Sequence, residues 1–187
     1  MTADDTGAPR AAAIEDDDSG DVDALLALMA EQQQRAGHRV RGLIMTHPNV
    51  GEGCSRPMVL VDLDTRQEFL VSQPLGQLSN SCRADPQGFA RASEVLRRAC
   101  DESPELVVCN RFGGLEAEGG GFRAELLEIM TQDLPLLTVV ATRHLADWAA
   151  FTGGAEVLPA RAEAVTGWLE RTLAPAPQAH RRETIGA

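Results

Sequence analysis

Between Leu106 and Arg123 the chain reads Leu-Val-Val-Cys-Asn-Arg-Phe-Gly-Gly-Leu-Glu-Ala-Glu-Gly-Gly-Gly-Phe-Arg. The apolar run that opens this stretch is long enough for a buried strand and too short for a helix. Polar Asn110 and Arg111 follow the run, and two glycine clusters then bracket a short acidic segment. An amphipathic pattern begins at Phe122. The stretch therefore predicts a strand, a long polar loop and a helix.

The polar residues after this strand are candidates for a binding site, because ligands in open α/β sheets bind beyond the carboxyl ends of the strands. They are Asn110, Arg111, Glu116 and Glu118. The alternative is a solvated connection whose glycines cap helices. Arg111 favours a site, since a cation directly after a buried strand usually needs an anion partner. Glu116 and Glu118 are interpreted as salt-bridge partners of Arg111 or Arg123, ahead of a general base or a metal ligand.

The composition fits one domain with an aliphatic core. The chain has 187 residues, 43% of them hydrophobic, but only 4% are aromatic and none is Tyr. A length of this order supports a single substantial core. The formal net charge of −11 argues against nucleic acid and anionic membranes as partners. It does not exclude an anion site that is locally positive.

The chain shows no pattern of membrane insertion or secretion. No apolar run approaches membrane-spanning length, and no basic segment followed by an apolar one opens the sequence. Cys54, Cys82, Cys100 and Cys109 are scattered, without a Cys-x-x-Cys pair. That spacing fits reduced thiols better than a zinc site or a disulfide framework. We therefore expect a cytoplasmic protein.

The periodicity predicts one α/β domain over residues 11–173, with a flexible N-terminus at 1–10 and a flexible tail at 174–187. Strands are predicted at 11–14, 39–45, 58–62, 68–72, 106–109, 136–141 and 156–158. Helices are predicted at 22–36, 85–99, 122–131, 143–151 and 160–172. The runs at 58–62 and 68–72 form a hairpin, and 73–83 is a polar loop. The alternation predicts a three-layer α/β sandwich with a mostly parallel sheet and an inserted hairpin.

The turn after the first strand occupies the place of a phosphate-binding loop, but its composition differs. That loop would read G-x-x-x-x-G-K-[ST], whereas residues 15–21 read Glu-Asp-Asp-Asp-Ser-Gly-Asp. The carboxylates would repel a triphosphate at close range. A Mg²⁺ or Ca²⁺ site built from Asp16, Asp17 and Asp18 is one interpretation. A capped, solvent-exposed turn is the favoured one.

A second polar loop ends at Arg83, after Ser-Asn-Ser-Cys at 79–82. Hydroxyls, an amide and a guanidinium together suit an oxyanion, although turns rich in Ser and Asn are common without a ligand. The hypothesis is that Arg83 and Arg111 converge at one sheet edge. Cys82 beside Arg83 is expected to have a lowered pKa, but no catalytic Cys-His pair is legible. The candidate ligand-binding residues are Arg83, Arg111, Ser72, Gln73, Ser81, Cys82 and Asn110.

Several segments together resemble a bacterial family, the domain of unknown function 2478. They are 17–26, Ser72-Gln73, Ser81-Cys82-Arg83, Asn110-Arg111-Phe112-Gly113, Glu116-Ala117-Glu118-Gly119 and Phe151-Thr152-Gly153-Gly154. The resemblance covers about residues 11 to 172, the length of a single domain. Its most specific part is Asn-Arg-Phe-Gly followed by Glu-Ala-Glu-Gly.

This resemblance implies a fold related to the P-loop nucleoside triphosphatases, in a family often encoded beside molybdate-transport genes. In the related triphosphatases the corresponding strand ends in an acidic pair. Asn110 and Arg111 replace those acids here, and Gly114 stands where the family usually has Lys. The resemblance therefore implies a P-loop-like fold without its nucleotide machinery.

These observations lead to the hypothesis of a cytosolic protein that binds molybdate or tungstate and takes part in molybdenum homeostasis. An enzyme is the less favoured interpretation; it would be a divergent nucleoside triphosphatase that holds Mg²⁺ at the acidic turn. A third hypothesis is a non-catalytic partner of a molybdenum transporter or enzyme. The expected partner is a small inorganic oxyanion, without nucleic acid or membrane insertion, and a homo-oligomer is compatible with all three hypotheses.

Overall fold

The computed structural model describes residues 9–47, 57–74 and 82–173. The strands are β1 (Ala11–Asp16), β2 (Val40–Thr46), β3 (Val59–Asp62), β4 (Glu68–Leu70), β5 (Ser72–Pro74), β6 (Cys82–Ala84), β7 (Leu106–Val108), β8 (Leu136–Ala141) and β9 (Glu156–Leu158). The helices are α1 (Val22–Arg35), α2 (Pro86–Glu102), α3 (Gly114–Ala117), α4 (Arg123–Thr131), α5 (Leu145–Thr152) and α6 (Ala162–Leu173). None of the helices in these ranges is both long and apolar enough to cross a membrane.

Seven of the described strands form one sheet in the order β4-β3-β2-β7-β8-β1-β9, and β5 pairs separately with β6. Strands β2, β7, β8, β1 and β9 run parallel. Strands β3 and β4 extend one edge as an antiparallel hairpin. Helices α1 and α6 pack on one face of the sheet, and α2, α4 and α5 pack on the other. The predicted mostly parallel, three-layer sandwich with an inserted hairpin is confirmed.

Strand β8 shows why a continuous apolar run is needed at the centre of this sheet. Leu136 and Val140 point into the core on the α2 and α4 side. Leu137 and Val139 point into the core on the α1 and α6 side. Successive side chains of a strand alternate between faces, so a strand covered by helices on both faces must be apolar at nearly every position.

Gly42 allows β2 to lie against β7. Its φ is +123°, and a Cβ at this position would overlap the carbonyl oxygen of Val108. Glycine alone tolerates both the backbone angle and this close approach. The contact sets β2 beside the strand that leads into the candidate site.

The parallel register brings the ends of three strands to one edge of the sheet. Asp16 at the end of β1 pairs with Ala141 at the end of β8. Phe112, just after β7, bridges to Val140 of β8. Polar residues that follow β1, β7 and β8 therefore lie side by side, as the position of binding sites in such sheets predicts.

Several element bounds differ from the prediction. The predicted loop 73–83 overlaps at its two ends with strands β5 and β6, which pair antiparallel. The predicted helix at 143–151 begins with a 3-10 turn, Thr142–His144, before α5. The additional helix α3 lies inside the glycine-rich loop. The termini 1–8 and 174–187, predicted as flexible, lie outside the described residues.

Candidate ligand-binding site

Arg111 is the central charged group at this edge of the sheet. Its Nη1 donates to Asp16 Oδ2 at 2.6 Å, and its Nη2 donates to Asp23 Oδ1 at 3.1 Å. Its side chain is 30% exposed. Burial acts to lower the pKa of Arg111, but the hydrogen bond to Asp16 and the charges of Asp23 and Asp16 leave that pKa raised. The guanidinium therefore ties the end of β7 to the end of β1 and to the first turn of α1.

The anion partners that the sequence predicted for Arg111 are carboxylates of the protein itself. A cation after β7 was expected to need an anion partner, and it has two, both supplied by the protein. Asp23 also faces His47, with His47 Nε2 at 3.4 Å from Asp23 Oδ2. Since two carboxylates already surround Arg111, its positive charge is offset before any ligand arrives.

The β1–α1 turn is held by its own carboxylates. Asp16 Oδ1 accepts from the amide of Asp18 at 3.3 Å, and Asp17 Oδ1 accepts from the amide of Ser19 at 3.0 Å. The hydrogen bonds from Ser19 lower the pKa of Asp17. Asp21 caps α1 by accepting from the amide of Ala24 in its first turn. In a P-loop, the backbone amides of this turn would donate to phosphate. Here the amides of Asp18 and Ser19 donate to side chains of the same turn.

A metal site at Asp16, Asp17 and Asp18 was one interpretation of the acidic turn, and it stays a prediction. Within the described residues, no group of three or more His, Cys, Asp or Glu side chains is placed to hold a metal ion. Two of the three carboxylates already have other partners. Asp16 pairs with Arg111, and Asp17 accepts from the turn's own backbone.

Asn110 lies beside this network with an unmet hydrogen bond. The residue is 3% exposed, and no described residue donates to its Oδ1. Leaving a buried polar atom unpaired costs about 1–3 kcal/mol. Most buried polar groups in proteins are paired. The unpaired side-chain oxygen of Asn110 therefore lowers the stability of the fold.

Asn110 lines a cleft of about 210 Å³. The cleft lies between the β2–β3 edge, the N-terminal part of α2 and the glycine-rich loop. Its charged lining residues are Arg111, Arg143 and Glu116, and its apolar lining residues include Met45, Met58, Leu60, Phe89, Leu115 and Phe122. The walls are thus mainly apolar, and the polar groups are few, as in sites for small organic molecules.

Glu116 braces the loop that forms one wall of the cleft. It is 4% exposed, and its carboxylate accepts from the amides of Gly113 at 2.9 Å and Phe122 at 3.0 Å. The predicted salt bridge of Glu116 to Arg111 or Arg123 is wrong. Arg123 instead donates to the backbone carbonyl of Glu116 at 3.0 Å. The Glu116 carboxylate thus supplies the acceptors that the amides of Gly113 and Phe122 need.

Arg143 is a candidate residue that the sequence analysis missed. It follows β8, lines the Asn110 cleft, and also lines a second cleft beside the acidic turn. Its Nε lies 3.3 Å from His144 Nε2, and no carboxylate of the described residues forms a salt bridge with it. The sequence did contain a signal for Arg143, because it follows the apolar strand β8. The same kind of position, after β7, led to the choice of Arg111.

The remaining predicted ligand-binding residues lie on the β5–β6 pair. Ser72 is buried, and its Oγ accepts from the amide of Met58 at 2.8 Å, so it supports the hairpin backbone. Gln73 pairs in register with Arg83. Their side chains and that of Cys82 lie outside what the structure describes, as does all of Ser81. The convergence of Arg83 with Arg111 therefore stays a prediction.

The second cleft, of about 640 Å³, has a different charge balance. Its charged lining residues are Asp16, Asp17, Asp18, Arg111 and Arg143. Carboxylates outnumber guanidinium groups there. In the Asn110 cleft, Arg111 is already paired with Asp16 and Asp23, so Arg143 and Glu116 are the charged lining residues that remain. An anion is therefore repelled less in the Asn110 cleft than beside the acidic turn.

Comparisons with known proteins agree with this fold. A human cancer-related nucleoside triphosphatase, known from a solution structure, superimposes with a TM-score of 0.59 over 79% of this chain and 87% of that one, at 17% identity. The likeness shows a P-loop NTPase-like fold. A second relative, the molybdenum import ATP-binding protein ModC 2 of Bradyrhizobium diazoefficiens, is 37% identical over 145 residues. The match covers 78% of this chain but only 16% of that protein.

The family model covers nearly all of the folded region described above. It matches residues 11–168, from the first residue of β1 to the middle of α6. The matched range includes Asp16, Asn110, Arg111 and Arg143. The chain therefore belongs to the family described as "Protein of unknown function (DUF2478)".

Proposed function

We propose that this chain is an oxyanion-binding domain that does not hydrolyse nucleotides, and that its ligand is molybdate or tungstate. The observation that carries the proposal is Arg143, a guanidinium without a carboxylate partner among the described residues, at the rim of the Asn110 cleft. A guanidinium presents several N–H donors in a plane and suits bidentate contact with an oxyanion. The amide of Asn110 can add a donor from the same edge of the sheet.

The β1–α1 turn supports the absence of hydrolysis. In P-loop triphosphatases, a Lys and backbone amides hold the phosphates, and Mg²⁺ is held between the loop and an acid from a neighbouring strand. Here Arg111 reaches from β7 to Asp16 and Asp23. A fixed guanidinium thus takes the bridging place that a metal ion would have, and the acids beside it repel a triphosphate.

The choice of ligand rests on the relative whose printed name includes molybdenum import. This chain matches only 16% of that protein, so a domain of this kind can occur within a much longer import protein. As part of the proposal, we extend the link to molybdenum from that protein to the present chain. A guanidinium such as that of Arg143 can hold a tetrahedral dianion by paired hydrogen bonds.

Isothermal titration calorimetry with molybdate, tungstate, sulfate and phosphate tests the proposal. We expect saturable binding that favours molybdate or tungstate. Arg143→Gln should weaken it by about tenfold or more, because a hydrogen bond to a charged group contributes about 1.5–3 kcal/mol. The matched control is Arg35→Gln, which removes the same charge from a side chain that is 72% exposed near the end of α1.

Two results would count against this function. The first is the absence of saturable heat with all four anions in folded protein, and the second is equal binding by the Arg143→Gln variant. Phosphate release from ATP or GTP with Mg²⁺, measured in parallel, should not exceed the buffer rate. Steady release that Asp17→Ala abolishes would instead support the hydrolase hypothesis.

A further inference from the structure

We infer that His144 and Asp147 are positioning residues for the anion site. Asp147 fixes the tautomer of His144, and His144 in turn holds the guanidinium of Arg143. The inference rests on the proposed function, and it deepens that function by assigning residues that act on the anion only through Arg143.

Two hydrogen bonds connect these three side chains. His144 Nδ1 lies 3.0 Å from Asp147 Oδ2, and Arg143 Nε lies 3.3 Å from His144 Nε2. His144 directly precedes α5, and Asp147 belongs to the first turn of that helix. Side chains three positions apart at a helix surface are neighbours. The imidazole of His144 therefore lies between the carboxylate and the guanidinium.

The partners of His144 determine which of its nitrogens carries the proton. An ionised carboxylate only accepts hydrogen bonds, and a guanidinium only donates them. Nδ1 must therefore carry the hydrogen that Asp147 accepts, and Nε2 must be the bare nitrogen that accepts from Arg143. A neutral imidazole has one nitrogen of each kind. A single tautomer, with the hydrogen on Nδ1, thus satisfies both contacts.

This arrangement holds Arg143 without cancelling its charge. Arg111 shows the contrasting case, because two carboxylates contact its guanidinium directly. Within the described ranges, Asp147 makes its close contact with His144 and reaches Arg143 only through the imidazole. A neutral ring beside Arg143 leaves more of the positive charge available to an anion than a directly bonded carboxylate would.

The contact with His144 also selects the edge of Arg143 that can bind an anion. A guanidinium has five N–H groups, and the one on Nε donates to His144. The hydrogens on Nη1 and Nη2 remain, and one from each nitrogen forms a parallel pair that matches two oxygens of an oxyanion. Because Nε is fixed, less side-chain freedom is lost when the anion binds.

The ring of His144 lies beside the loop that lines the Asn110 cleft. Its side chain is only 18% exposed, and a Cβ at Gly114 would lie 3.8 Å from both Cε1 and Nε2 of the ring. Gly114 and Arg143 line the same cleft. The hydrogen bond from Arg143 to His144 is therefore made at the wall of the proposed anion site.

The test uses the sign of one change in affinity. If Asp147 acted only by its charge, Asp147→Ala would strengthen anion binding. If it acts through His144, Asp147→Ala leaves Nδ1 without a partner, so the hydrogen can move to Nε2 and the acceptor for Arg143 is lost. We expect the affinity for molybdate and tungstate to fall about three- to tenfold. Calorimetry at pH 8 measures it, because most histidine side chains are neutral at that pH.

Two substitutions of His144 separate positioning from a general effect on the fold. His144→Phe keeps a ring beside the loop but has no acceptor, so it should weaken binding as Asp147→Ala does. His144→Gln supplies an acceptor oxygen of its own and should retain most of the affinity. In the His144→Gln background, Asp147→Ala should no longer weaken binding, because its effect passes through the imidazole.

Glu163→Ala is the matched control for Asp147→Ala. Glu163 lies in the first turn of α6, as Asp147 lies in the first turn of α5. Both substitutions therefore remove one negative charge and one favourable interaction with a helix N-terminus. Since α6 packs on the opposite face of the sheet from α5, Glu163→Ala should not weaken anion binding.

Nitrogen-15 NMR of the imidazole rings measures the tautomer without any ligand. The chain has four His, and the signals of His144 are those that disappear in His144→Gln. In the unmodified chain we expect the hydrogen of His144 on Nδ1. In Asp147→Ala the preference for this tautomer should be lost.

The outcomes separate this inference from the proposed function. Anion binding that Asp147→Ala leaves unchanged or strengthens overturns the inference and leaves the proposed function in place. A hydrogen on Nε2 of His144 in the unmodified chain also overturns it, as does equal weakening by Glu163→Ala. The absence of saturable heat with molybdate and tungstate in the unmodified chain removes the proposed function, and the positioning role with it.

Discussion

The Arg111 guanidinium and the Asp16 carboxylate meet at 2.6 Å, although strand β8 lies between the strands they follow. Arg111 crosses the end of β8 to reach the end of β1 and the first turn of α1. The contact joins residues 95 positions apart in the chain. It therefore couples the acidic turn to the loop that forms the Asn110 cleft.

Replacing Arg111 by Met should destabilise the fold, because Asp16 and Asp23 are then left close together without a cation. Loss of one partner of a buried ion pair costs about 3–5 kcal/mol, and partial exposure reduces this to roughly 1–3 kcal/mol. Urea unfolding measures the change. The double variant Arg111→Met with Asp16→Asn should recover part of the loss. A double variant that is less stable than the single one would contradict this interpretation.

Asp62 predicts how stability depends on pH. Burial acts to raise the pKa of Asp62, but hydrogen bonds from Thr65 and Asp64 and the guanidinium of Arg98 leave it lowered. A lowered pKa stabilises the fold above the unfolded value of about 3.9, and this contribution is lost as the pH falls through the folded pKa. Acid unfolding should therefore shift to higher pH in the Arg98→Met variant.

The control for this pH effect is Asp62→Asn, which cannot titrate. Its free energy of unfolding should be lower than that of the unmodified chain near pH 7. It should also fall less steeply on acidification below about pH 4. Parallel stability curves for the two proteins in acid would exclude Asp62 as the titrating group.

The Asn110→Leu substitution should raise the stability of the protein without ligand. It removes an unpaired buried acceptor and places apolar atoms in a mainly apolar cleft. The expected gain is about 1 kcal/mol. Differential scanning calorimetry would show it as a higher melting temperature. A clear loss of stability would mean that Asn110 has a structural partner in solution.

Glu116 is expected to control the order of the glycine-rich loop. In Glu116→Ala the amides of Gly113 and Phe122 lose their acceptor, and each buried unpaired group costs about 1–3 kcal/mol. Hydrogen exchange at Phe122 should become faster, together with a lower free energy of unfolding. Glu116→Gln keeps one acceptor oxygen, so its exchange rate and its free energy of unfolding should lie between those of Glu116→Ala and the unmodified chain. If the exchange rate at Phe122 is unchanged in Glu116→Ala, the brace is not what orders this loop.

The main elements of the fold could be predicted because their patterns are strong and local. The apolar run of β8 specifies a strand by composition, and the strand-like runs of β3 and β4 specify a hairpin together with the polar turn between them. Strands β5 and β6 were missed because each is short and polar, and β5 contains Pro74. Such segments pair only when the surrounding structure holds them together.

The sequence predicted that Arg111 has an anion partner, but it did not predict which residues supply it. Its position after a strand indicated an anion partner, but the identity of that partner depends on the order of strands in the sheet. Nothing in the spacing places Asp23, which is 88 residues away, at the same point. Arg143 was missed because its own segment was interpreted only as the start of a helix.

The long sequence separation between Arg111 and Asp16 also bears on folding kinetics. This contact can close only after β7, β8 and β1 lie side by side, so it should be largely absent from the folding transition state. Weakening it is then expected to accelerate unfolding and to leave the refolding rate nearly unchanged. The ion pair would thus act chiefly on the lifetime of the folded protein.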